Sequence, residues 1–356
     1  MTGRQEQFSG EEAPPAHLQL DLDRLATWLS SRLPGMDRGL SATKFKGGQS
    51  NPTYRLSGPA GSYVLRRKPP GKLVASAHQI DREYRILSAL ASTGLPIPRP
   101  FLYCEDEAVI GSEFYIVEHV AGRVFWEADM EGVPPTDRAT VYDDMNRVLA
   151  ALHQLDPQAI GLGDLARTGD YAARNLARWS KIYAQSALEP IADMDWLMEA
   201  LPRHLPAHEQ TSFIHGDYGL YNLILHPTQP RVMAVLDWEM ATLGDPLIDL
   251  AHHLRAWWDL PDSGLAATSL VGLDLPALGI PSMEDYLARY CERRAMAVPD
   301  MRWHLAYAQF RYAAMVQGIL KRAADGTASS RVMVHSQDRV VRIAAMARRS
   351  LETLAG

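Results

Sequence analysis

The stretch FIHGDYGLYNLILHPTQPRVMAVLDWEMATLGDP, residues 213–246, decides the fold. Three apolar runs in it, FI, LIL and VMAVL, alternate with polar segments, a pattern that predicts strand, polar loop, strand, turn and strand. Asp217 and Asn222 lie on the loop between the first two runs, and Asp237 follows the third. One such residue alone is commonly a loop cap. The whole set at this spacing instead favours a phosphoryl-transfer site, because carboxylate and amide oxygens suit Mg²⁺.

Two motifs in this stretch, H-G-D-x-x-x-x-N and L-D-W-E, resemble the catalytic loop and metal-binding strand of the aminoglycoside phosphotransferase and choline kinase families. These families are distant relatives of protein kinases, and the chain most resembles the kinase-like domains that accompany acyl-CoA dehydrogenases. The resemblance implies that Asp217 orients the acceptor hydroxyl as the catalytic base. It also implies that Asn222 and Asp237 bind the metal.

Three further residues, His215, Asp249 and Glu239, are expected to support the loop or to bind the metal. A histidine beside a catalytic Asp could form a dyad with it, but the resemblance implies that His215 orients the loop through a backbone hydrogen bond, and loop histidines are more often satisfied than reactive. The resemblance makes Asp249, in the run D-L-A, a support for the catalytic loop. Glu239 is added as a metal ligand because strand alternation would place it on the same side as Asp237.

The segment GGQSN, residues 47–51, is predicted to cover phosphate. Adjacent glycines let the backbone approach a phosphate closely, although a glycine pair by itself is usually a hairpin turn. The segment is similar to the GGxSN form of some small-molecule kinases. Gly47, Gly48, Ser50 and Asn51 are therefore expected to bind the nucleotide.

The strand YVLRRK, residues 63–68, places Arg66 where protein kinases have a lysine. Lys68 lies on the same strand face and is the alternative phosphate ligand. Glu83, on the amphipathic helix predicted over residues 78–91, is the expected partner of Arg66.

The run FYIVEHV, residues 114–120, reads as a strand that ends in an interlobe linker. In this superfamily, linker backbone groups bind the edge of adenine. The backbone from Glu118 to Val120 is therefore the expected adenine contact.

Composition excludes several classes of protein. The 356 residues are 47% hydrophobic and 22% charged, as in a folded chain of one large or two moderate domains. A net charge of -6 and a pI near 6.1 argue against nucleic-acid binding. Two distant cysteines, Cys104 and Cys291, support neither a disulfide framework nor a zinc site. No apolar run has transmembrane or signal-peptide character, so a cytoplasmic protein without membrane contact is expected.

The predicted fold class is α+β, a bilobal protein-kinase-like fold. Residues 1–17 are expected to form a mobile tail. Residues 18–120 form a nucleotide-binding lobe with a leading helix and a small five-stranded antiparallel sheet. Residues 121–356 form a larger, mostly helical lobe with the catalytic loop and the acceptor site, and ATP is expected between the lobes.

The resulting prediction is an ATP- and Mg²⁺-dependent kinase that phosphorylates a small-molecule alcohol. Aromatic and arginine side chains are interleaved in the second lobe, which favours an anionic or partly apolar acceptor over a polycation. The resemblance suggests a hydroxy acid or hydroxyacyl compound. The alternative is a nucleotide-binding regulatory pseudokinase, favoured by Arg66 in place of lysine and opposed by the intact catalytic set. Oligomeric state and the choice between ATP and GTP stay open.

Overall fold

The structure is a computed structural model that describes residues 5, 8–46, 51–69, 79–166, 170–206, 210–260, 269–325 and 336–353. The chain divides into two compact units. The first contains Met1–Trp126 and Leu220–Met240, and the second contains Glu127–Gly219 and Ala241–Gly356. The boundary after residue 120 stays a prediction. In the division into compact units, the segment 220–240 is grouped with the first unit.

The first unit is built on an antiparallel sheet with the strand order β1-β2-β3-β4-β6-β5. Its strands are β1 Glu11–Glu12, β2 Ser41–Phe45, β3 Thr53–Gly58, β4 Gly61–Arg67, β5 Pro100–Cys104 and β6 Phe114–Glu118. The sequence predicted five strands, and the sixth is β1.

Strand β1 lies within the segment predicted to be a mobile tail. It pairs with the end of β2, where Glu12 lies opposite Lys44 and the two side chains form an ion pair of 3.0 Å. Glu11 forms a second ion pair, of 3.2 Å, with Arg55 on β3. Two polar residues carry no apolar alternation, so this strand leaves no signal in a hydrophobic pattern.

Among the described residues of the first unit, two α-helices pack in it, α1 Leu22–Leu29 and α2 Ile80–Leu90. The Asp21 carboxylate caps α1 by accepting the backbone N–H of Arg24. Helix α2 buries Glu83 together with Ile80, Ile86, Leu87 and Leu90. The packing face of this helix therefore brings a carboxylate, as well as apolar side chains, into the interior of the unit.

A two-stranded antiparallel ribbon completes the first unit, formed by β8 Leu223–Leu225 and β9 Val232–Val235. Leu223 lies opposite Val235, and the backbone N–H of Leu236 donates to the carbonyl of Asn222 at 2.8 Å. Asn222 comes directly before β8 and Asp237 follows β9 after one residue. Because the strands are antiparallel, both polar residues lie at the same end of the ribbon.

The second unit is mostly helical and contains one short antiparallel pair, β7 Ser212–Ile214 with β10 Thr242–Gly244. Its helices are α3 Pro135–His153, α4 Tyr171–Ser186, α5 Ala192–Ala200, α6 Pro246–His253, α7 Arg255–Trp258, α8 Leu275–Leu278, α9 Met283–Arg293, α10 Arg302–Ala324 and α11 Gln337–Glu352. Helix α10 packs against α4, α6 and α11. In the part of the chain that the structure describes, no helix is both long and apolar enough to span a membrane.

Candidate active site

The predicted catalytic loop follows β7 in the second unit, and its backbone is held by one carboxylate. Asp249 on α6 accepts the backbone N–H of His215 at 2.8 Å with Oδ2 and that of Gly216 at 2.8 Å with Oδ1. Gly216 has a φ of 83°, a left-handed conformation that disfavours any side chain. The next residue, Asp217, donates its backbone N–H to His215 Nδ1 at 3.2 Å. The backbone is thus fixed at Asp217 and at the two residues before it.

The carboxylate of Asp249 is itself held from α3. His153 Nε2 lies 3.1 Å from its Oδ2, and His153 Nδ1 lies 2.7 Å from the hydroxyl of Tyr290. Burial works to raise the pKa of Asp249, but the hydrogen bonds and positive potential from His153 and His215 lower it to about 2. Asp249 is therefore ionised at neutral pH, the state that binds two backbone N–H groups most strongly.

The side chain of Asp217 is 35% exposed, and it has one partner on the same helix that carries Asp249. His252 Nε2 lies 2.9 Å from Asp217 Oδ1. From α10, Arg311 donates to the carbonyl of Gly216 at 3.1 Å. The sequence analysis did not identify the contact of His252 with Asp217. The available signal was its spacing of three residues from Asp249, which places both on one helix face.

Three predicted site residues, Glu83, Asp237 and Glu239, form a charged cluster around Arg66 in the first unit. Arg66 Nε lies 3.2 Å from Glu83 Oε2, and its Nη2 lies 2.9 Å from Asp237 Oδ1 and 3.5 Å from Glu239 Oε2. The side chains of Arg66 and Glu83 are 11% and 2% exposed. One guanidinium therefore faces three carboxylates, of which Glu83 is buried and Asp237 and Glu239 are half-buried.

The excess of carboxylates over cations affects the pKa values of the two buried partners, Glu83 and Arg66. Burial raises the pKa of Glu83 to about 7 against the pull of Arg66, and the negative charges of Asp237 and Glu239 add to the rise. Burial alone would lower the pKa of Arg66, but attraction to Glu83, Tyr115, Asp237 and Glu239 raises it above its ordinary value. Arg66 thus stays charged, and the cluster carries an excess of acidic groups.

Asp237 adopts an unusual backbone conformation, with a φ of 64°. Few residues other than glycine occupy this left-handed region, although Asp and Asn tolerate it best. The chain then enters a short 3₁₀ helix, Trp238–Met240, in which Trp238 is buried and donates its indole N–H to the carbonyl of Val235 at 3.1 Å. The strand alternation predicted for Glu239 is therefore wrong. Glu239 reaches Arg66 because the chain turns after Asp237.

The structure also places Lys68 and part of the predicted phosphate loop. The ammonium of Lys68 lies 2.6 Å from Glu113, so Arg66 rather than Lys68 contacts the Glu83 and Asp237 carboxylates. Asn51 is buried, and its carbonyl accepts the hydroxyl of Thr53 at 3.1 Å. The remaining predicted loop residues, Gly47, Gly48 and Ser50, lie outside the described residues.

The predicted adenine-binding segment begins at the end of β6. The backbone N–H of Glu118 donates to the carbonyl of Arg99 at 2.8 Å, and its carboxylate accepts the Arg99 N–H at 3.3 Å. Val120 lies beyond the strand in irregular structure. Because the N–H of Glu118 already has a partner, the adenine prediction depends on the other backbone groups of this segment.

The donor set at the end of the β8–β9 ribbon fits a hard cation with few protein ligands. Asn222 offers an amide oxygen and Asp237 a carboxylate, beside a cluster with excess negative charge. Within the described ranges, no group of three or more His, Cys, Asp or Glu side chains is arranged to bind a metal. Mg²⁺ is commonly bound by one or two protein ligands, with water and phosphate completing its octahedron.

The sheet-and-helix architecture and the fixed catalytic loop define a kinase-like α+β protein. The chain belongs to the phosphotransferase enzyme family, whose model matches residues 41–304. A solved structure from Ralstonia eutropha, described as a candidate aminoglycoside phosphotransferase, is 43% identical. It matches with a TM-score of 0.85 over 94% of this chain and 99% of that one. Both the resemblance and the fold class inferred from the sequence are thereby confirmed.

Two further likenesses differ in what they show. Acyl-CoA dehydrogenase family member 11 from Rattus norvegicus is 39% identical over 90% of this chain, and the match spans 42% of that protein. The chain thus spans less than half the length of this curated relative. The ternary complex of aminoglycoside phosphotransferase APH(4)-Ia with ADP and hygromycin B is 17% identical, with a TM-score of 0.58 over 93% of this chain and 98% of that one. That second likeness concerns the fold alone.

Proposed function

We propose that this protein transfers the γ-phosphoryl group of ATP to a hydroxyl group of a small molecule. The observation that carries the proposal is the state of Asp217. Its backbone is fixed through Asp249 and His215, while its carboxylate remains 35% exposed. A base must be held rigidly and still reach its substrate, because most of the catalysis of phosphoryl transfer lies in positioning and electrostatics.

Asn222 and Asp237 would bind Mg²⁺ in this proposal, with Glu239 as a further candidate. The metal ion would supply positive charge that offsets the charge on the transferring phosphoryl group. Arg66, held by Glu83, is the cationic side chain next to Asp237. A guanidinium can bind phosphate oxygens and carboxylates at the same time, so Arg66 would take the role of the usual lysine.

The chemical step requires only one proton acceptor from the protein. The acceptor hydroxyl forms a bond to the γ-phosphorus, the bond from that phosphorus to the bridging oxygen of ADP breaks, and the hydroxyl proton passes to Asp217. The loose transition state needs little covalent help, so Asp217 mainly orients the hydroxyl. ADP and a phosphorylated alcohol leave as products, and Asp217 releases the proton to solvent.

The acceptor is proposed to be an anionic or partly apolar alcohol. In the second unit, the guanidinium groups of Arg178 and Arg311 lie 5.9 and 5.5 Å from the ring centre of Trp179, and that of Arg255 lies 4.9 Å from the ring centre of Tyr312. Arg311 also contacts the catalytic loop at Gly216. A cationic and aromatic surrounding of this kind suits a carboxylate with an apolar chain. A hydroxy acid or hydroxyacyl compound combines these features.

The decisive experiment is turnover of Mg²⁺-ATP against a panel of alcohols. The panel contains hydroxyacyl thioesters, hydroxy acids, choline, homoserine and aminoglycosides. We expect transfer to the hydroxy acid or hydroxyacyl class. The Asp217→Ala substitution should lower turnover by about a hundredfold or more, the scale of a positioned acid–base group.

The matched control is Asp325→Ala, which removes a carboxylate from a largely exposed pair with Lys321 and should leave turnover unchanged. Turnover near the wild-type level in Asp217→Ala would refute the assignment of the base. Transfer to aminoglycosides, with none to hydroxyacyl compounds, would refute the proposed acceptor. Nucleotide binding without transfer to any member of the panel would favour a regulatory protein.

A further inference from the structure

His252 contacts Asp217 but lies outside the motif H-G-D-x-x-x-x-N that contains Asp217. It lies near the end of α6, with Nε2 at 2.9 Å from Asp217 Oδ1. The imidazole is 8% exposed, whereas the carboxylate it touches is 35% exposed. The histidine is therefore enclosed by protein, and the carboxylate is the member of the pair that solvent or a substrate can reach.

Helix α6 contacts both the backbone of the catalytic loop and the side chain of Asp217. Asp249 binds the backbone N–H groups of His215 and Gly216, and His252, three residues further along the helix, contacts the side chain of Asp217. Residues three apart lie on one face of a helix. A single rigid element thus sets both the path of the loop and the direction of its carboxylate.

The protonation state of His252 determines which partner donates. Burial lowers the pKa of His252 below its ordinary value, the bond to Asp217 raises it, and the charges of Arg311 and Arg255 lower it again. The ring is therefore neutral at neutral pH and has one N–H. A carboxylate can only accept, so the proton is on Nε2, which donates to Asp217 Oδ1.

We propose that His252 is a positioning residue that fixes the rotation of the Asp217 carboxylate. With Oδ1 held by Nε2–H, the direction of Oδ2 towards the acceptor hydroxyl is set. This inference rests on the proposed function, because it assumes that Asp217 is the base. It deepens that function by naming the residue that orients the base.

The geometry distinguishes this arrangement from a His–Asp catalytic pair. In such a pair the carboxylate binds Nδ1, and Nε2 faces the substrate as the base. Here Nε2 contacts the carboxylate of Asp217. The ring nitrogen that does not contact this carboxylate is Nδ1, which lies nearer the helix backbone. His252 therefore orients Asp217 and does not itself remove the proton.

The first test compares His252→Ala with His252→Gln in the full chain. The probes are Mg²⁺-ATP hydrolysis, with water as the acceptor, and the best alcohol of the panel. We expect His252→Ala to lower kcat about tenfold, the effect of a lost orienting contact, while the KM for Mg²⁺-ATP stays unchanged. His252→Gln should recover much of the loss, because its amide can donate from a similar position.

Two comparisons separate orientation from a loss of stability. His304→Gln is the matched control, since His304 is also buried and lies 3.3 Å from a different carboxylate, that of Asp245. In an Asp217→Ala background, removing His252 should cost nothing further, because residues that act as a unit are not additive. An equal loss in His252→Ala and His304→Gln, or a full further loss in the double variant, would overturn the inference.

An NMR measurement tests the contact without any acceptor. In protein labelled with ¹⁵N-histidine, the resonance that disappears in His252→Gln should show the Nε2–H tautomer and should shift in Asp217→Ala. The Nδ1–H tautomer would overturn the inference. If Asp217→Ala keeps its activity, the proposed function fails. If Asp217→Ala is inactive and His252→Ala behaves like the control, only the present inference fails.

Discussion

At the scale of single residues, Arg66 is the side chain on which the cluster in the first unit depends. Its guanidinium contacts Glu83 at 3.2 Å, Asp237 at 2.9 Å and Glu239 at 3.5 Å. The planar fork of an arginine can serve several carboxylates at once, whereas a lysine is a point charge on a flexible stem. Arginine in place of the usual lysine is therefore not a defect here, since one lysine could not reproduce these contacts.

Removing this cation should be costly. We expect Arg66→Met to lower the free energy of unfolding by about 3 to 5 kcal/mol, because it leaves the buried Glu83 without its partner, beside two half-buried carboxylates. Arg66→Lys should lose less. Unfolding in guanidinium chloride, followed by circular dichroism, measures both variants.

The control for Arg66 is Arg289→Met, which breaks an ion pair whose arginine side chain is 57% exposed. Exposed pairs contribute about 0 to 1 kcal/mol, so this variant should stay near the wild type. Equal losses in the two methionine variants would mean that the cluster around Arg66 has no special energetic role.

The same residues show what sequence can and cannot predict at this scale. Motif spacing identified Asp217, Asn222 and Asp237 as the polar residues at three strand ends. It did not identify His252, which contacts Asp217 from 35 positions further along the chain. The spacing from Asp249 places His252 on the same face of α6, but the side chain that it meets depends on how α6 packs against the loop, which hydrophobic periodicity does not predict.

At the scale of elements, α6 is more than a buried helix. Its first turn is capped by Asp245, which accepts the N–H of Leu247 at 2.8 Å. Its last residue, His253, lies 2.8 Å from the hydroxyl of Tyr286 and 3.3 Å from the carbonyl of Tyr218. The helix thus packs neutral histidines against the predicted catalytic loop, which makes the stability of the protein sensitive to acid.

His253 gives this sensitivity a defined range of pH. Burial lowers its pKa from 6.5 to about 4, so the unfolded chain binds a proton between these values that the folded chain does not. Stability therefore falls as the pH drops from about 6.5 to about 4, and the full effect corresponds to about 3 kcal/mol. Unfolding free energies at intervals across this range should fall more steeply in the wild type than in His253→Gln.

The exposed His204 provides the control for this prediction. His204→Gln should keep the wild-type slope of unfolding free energy against pH. If His253→Gln kept that slope as well, the acid sensitivity would have to come from other groups.

Elements with a strong hydrophobic period were predicted well, and those without one were not. The apolar runs FI, LIL and VMAVL became β7, β8 and β9. The 3₁₀ turn after Asp237 was taken for continued strand, since a φ of 64° at a non-glycine residue is not encoded in any apolar pattern. Strand β1 was missed because ion pairs, rather than apolar side chains, stabilise it.

At the scale of the whole molecule, the chain passes twice between its two units within the stretch 213–246. Asp217 belongs to the second unit, while Asn222 and Asp237 belong to the first. The family model spans residues 41–304 and so includes residues of both units. In the proposed function, the metal ion that Asn222 and Asp237 would bind also binds phosphate oxygens of the nucleotide, so we expect nucleotide and metal to bind in a coupled manner.

This coupling should appear as Mg²⁺-dependent stabilisation by ADP. At about a hundred times its Kd, a ligand that binds only the folded state adds about 2.7 kcal/mol, which raises Tm by a few degrees in a chain of this size. We expect this rise with Mg²⁺ and a smaller one with EDTA. Asp237→Asn should lose the difference, because an asparagine tolerates the left-handed backbone and lacks the charge that binds the metal.

Each protein in this comparison is measured against its own baseline without nucleotide, because Asp237→Asn also changes the contact with Arg66. Asp23→Asn, on the exposed face of α1, should retain the full Mg²⁺-dependent shift. An equal ADP shift with Mg²⁺ and with EDTA in the wild type would exclude Asp237 as a metal ligand that couples to the nucleotide. If Asp237→Asn and Asp23→Asn lost the Mg²⁺-dependent shift equally, the metal would have to bind elsewhere. Of these two residues, Asp237 is the one at the end of the ribbon that carries Asn222.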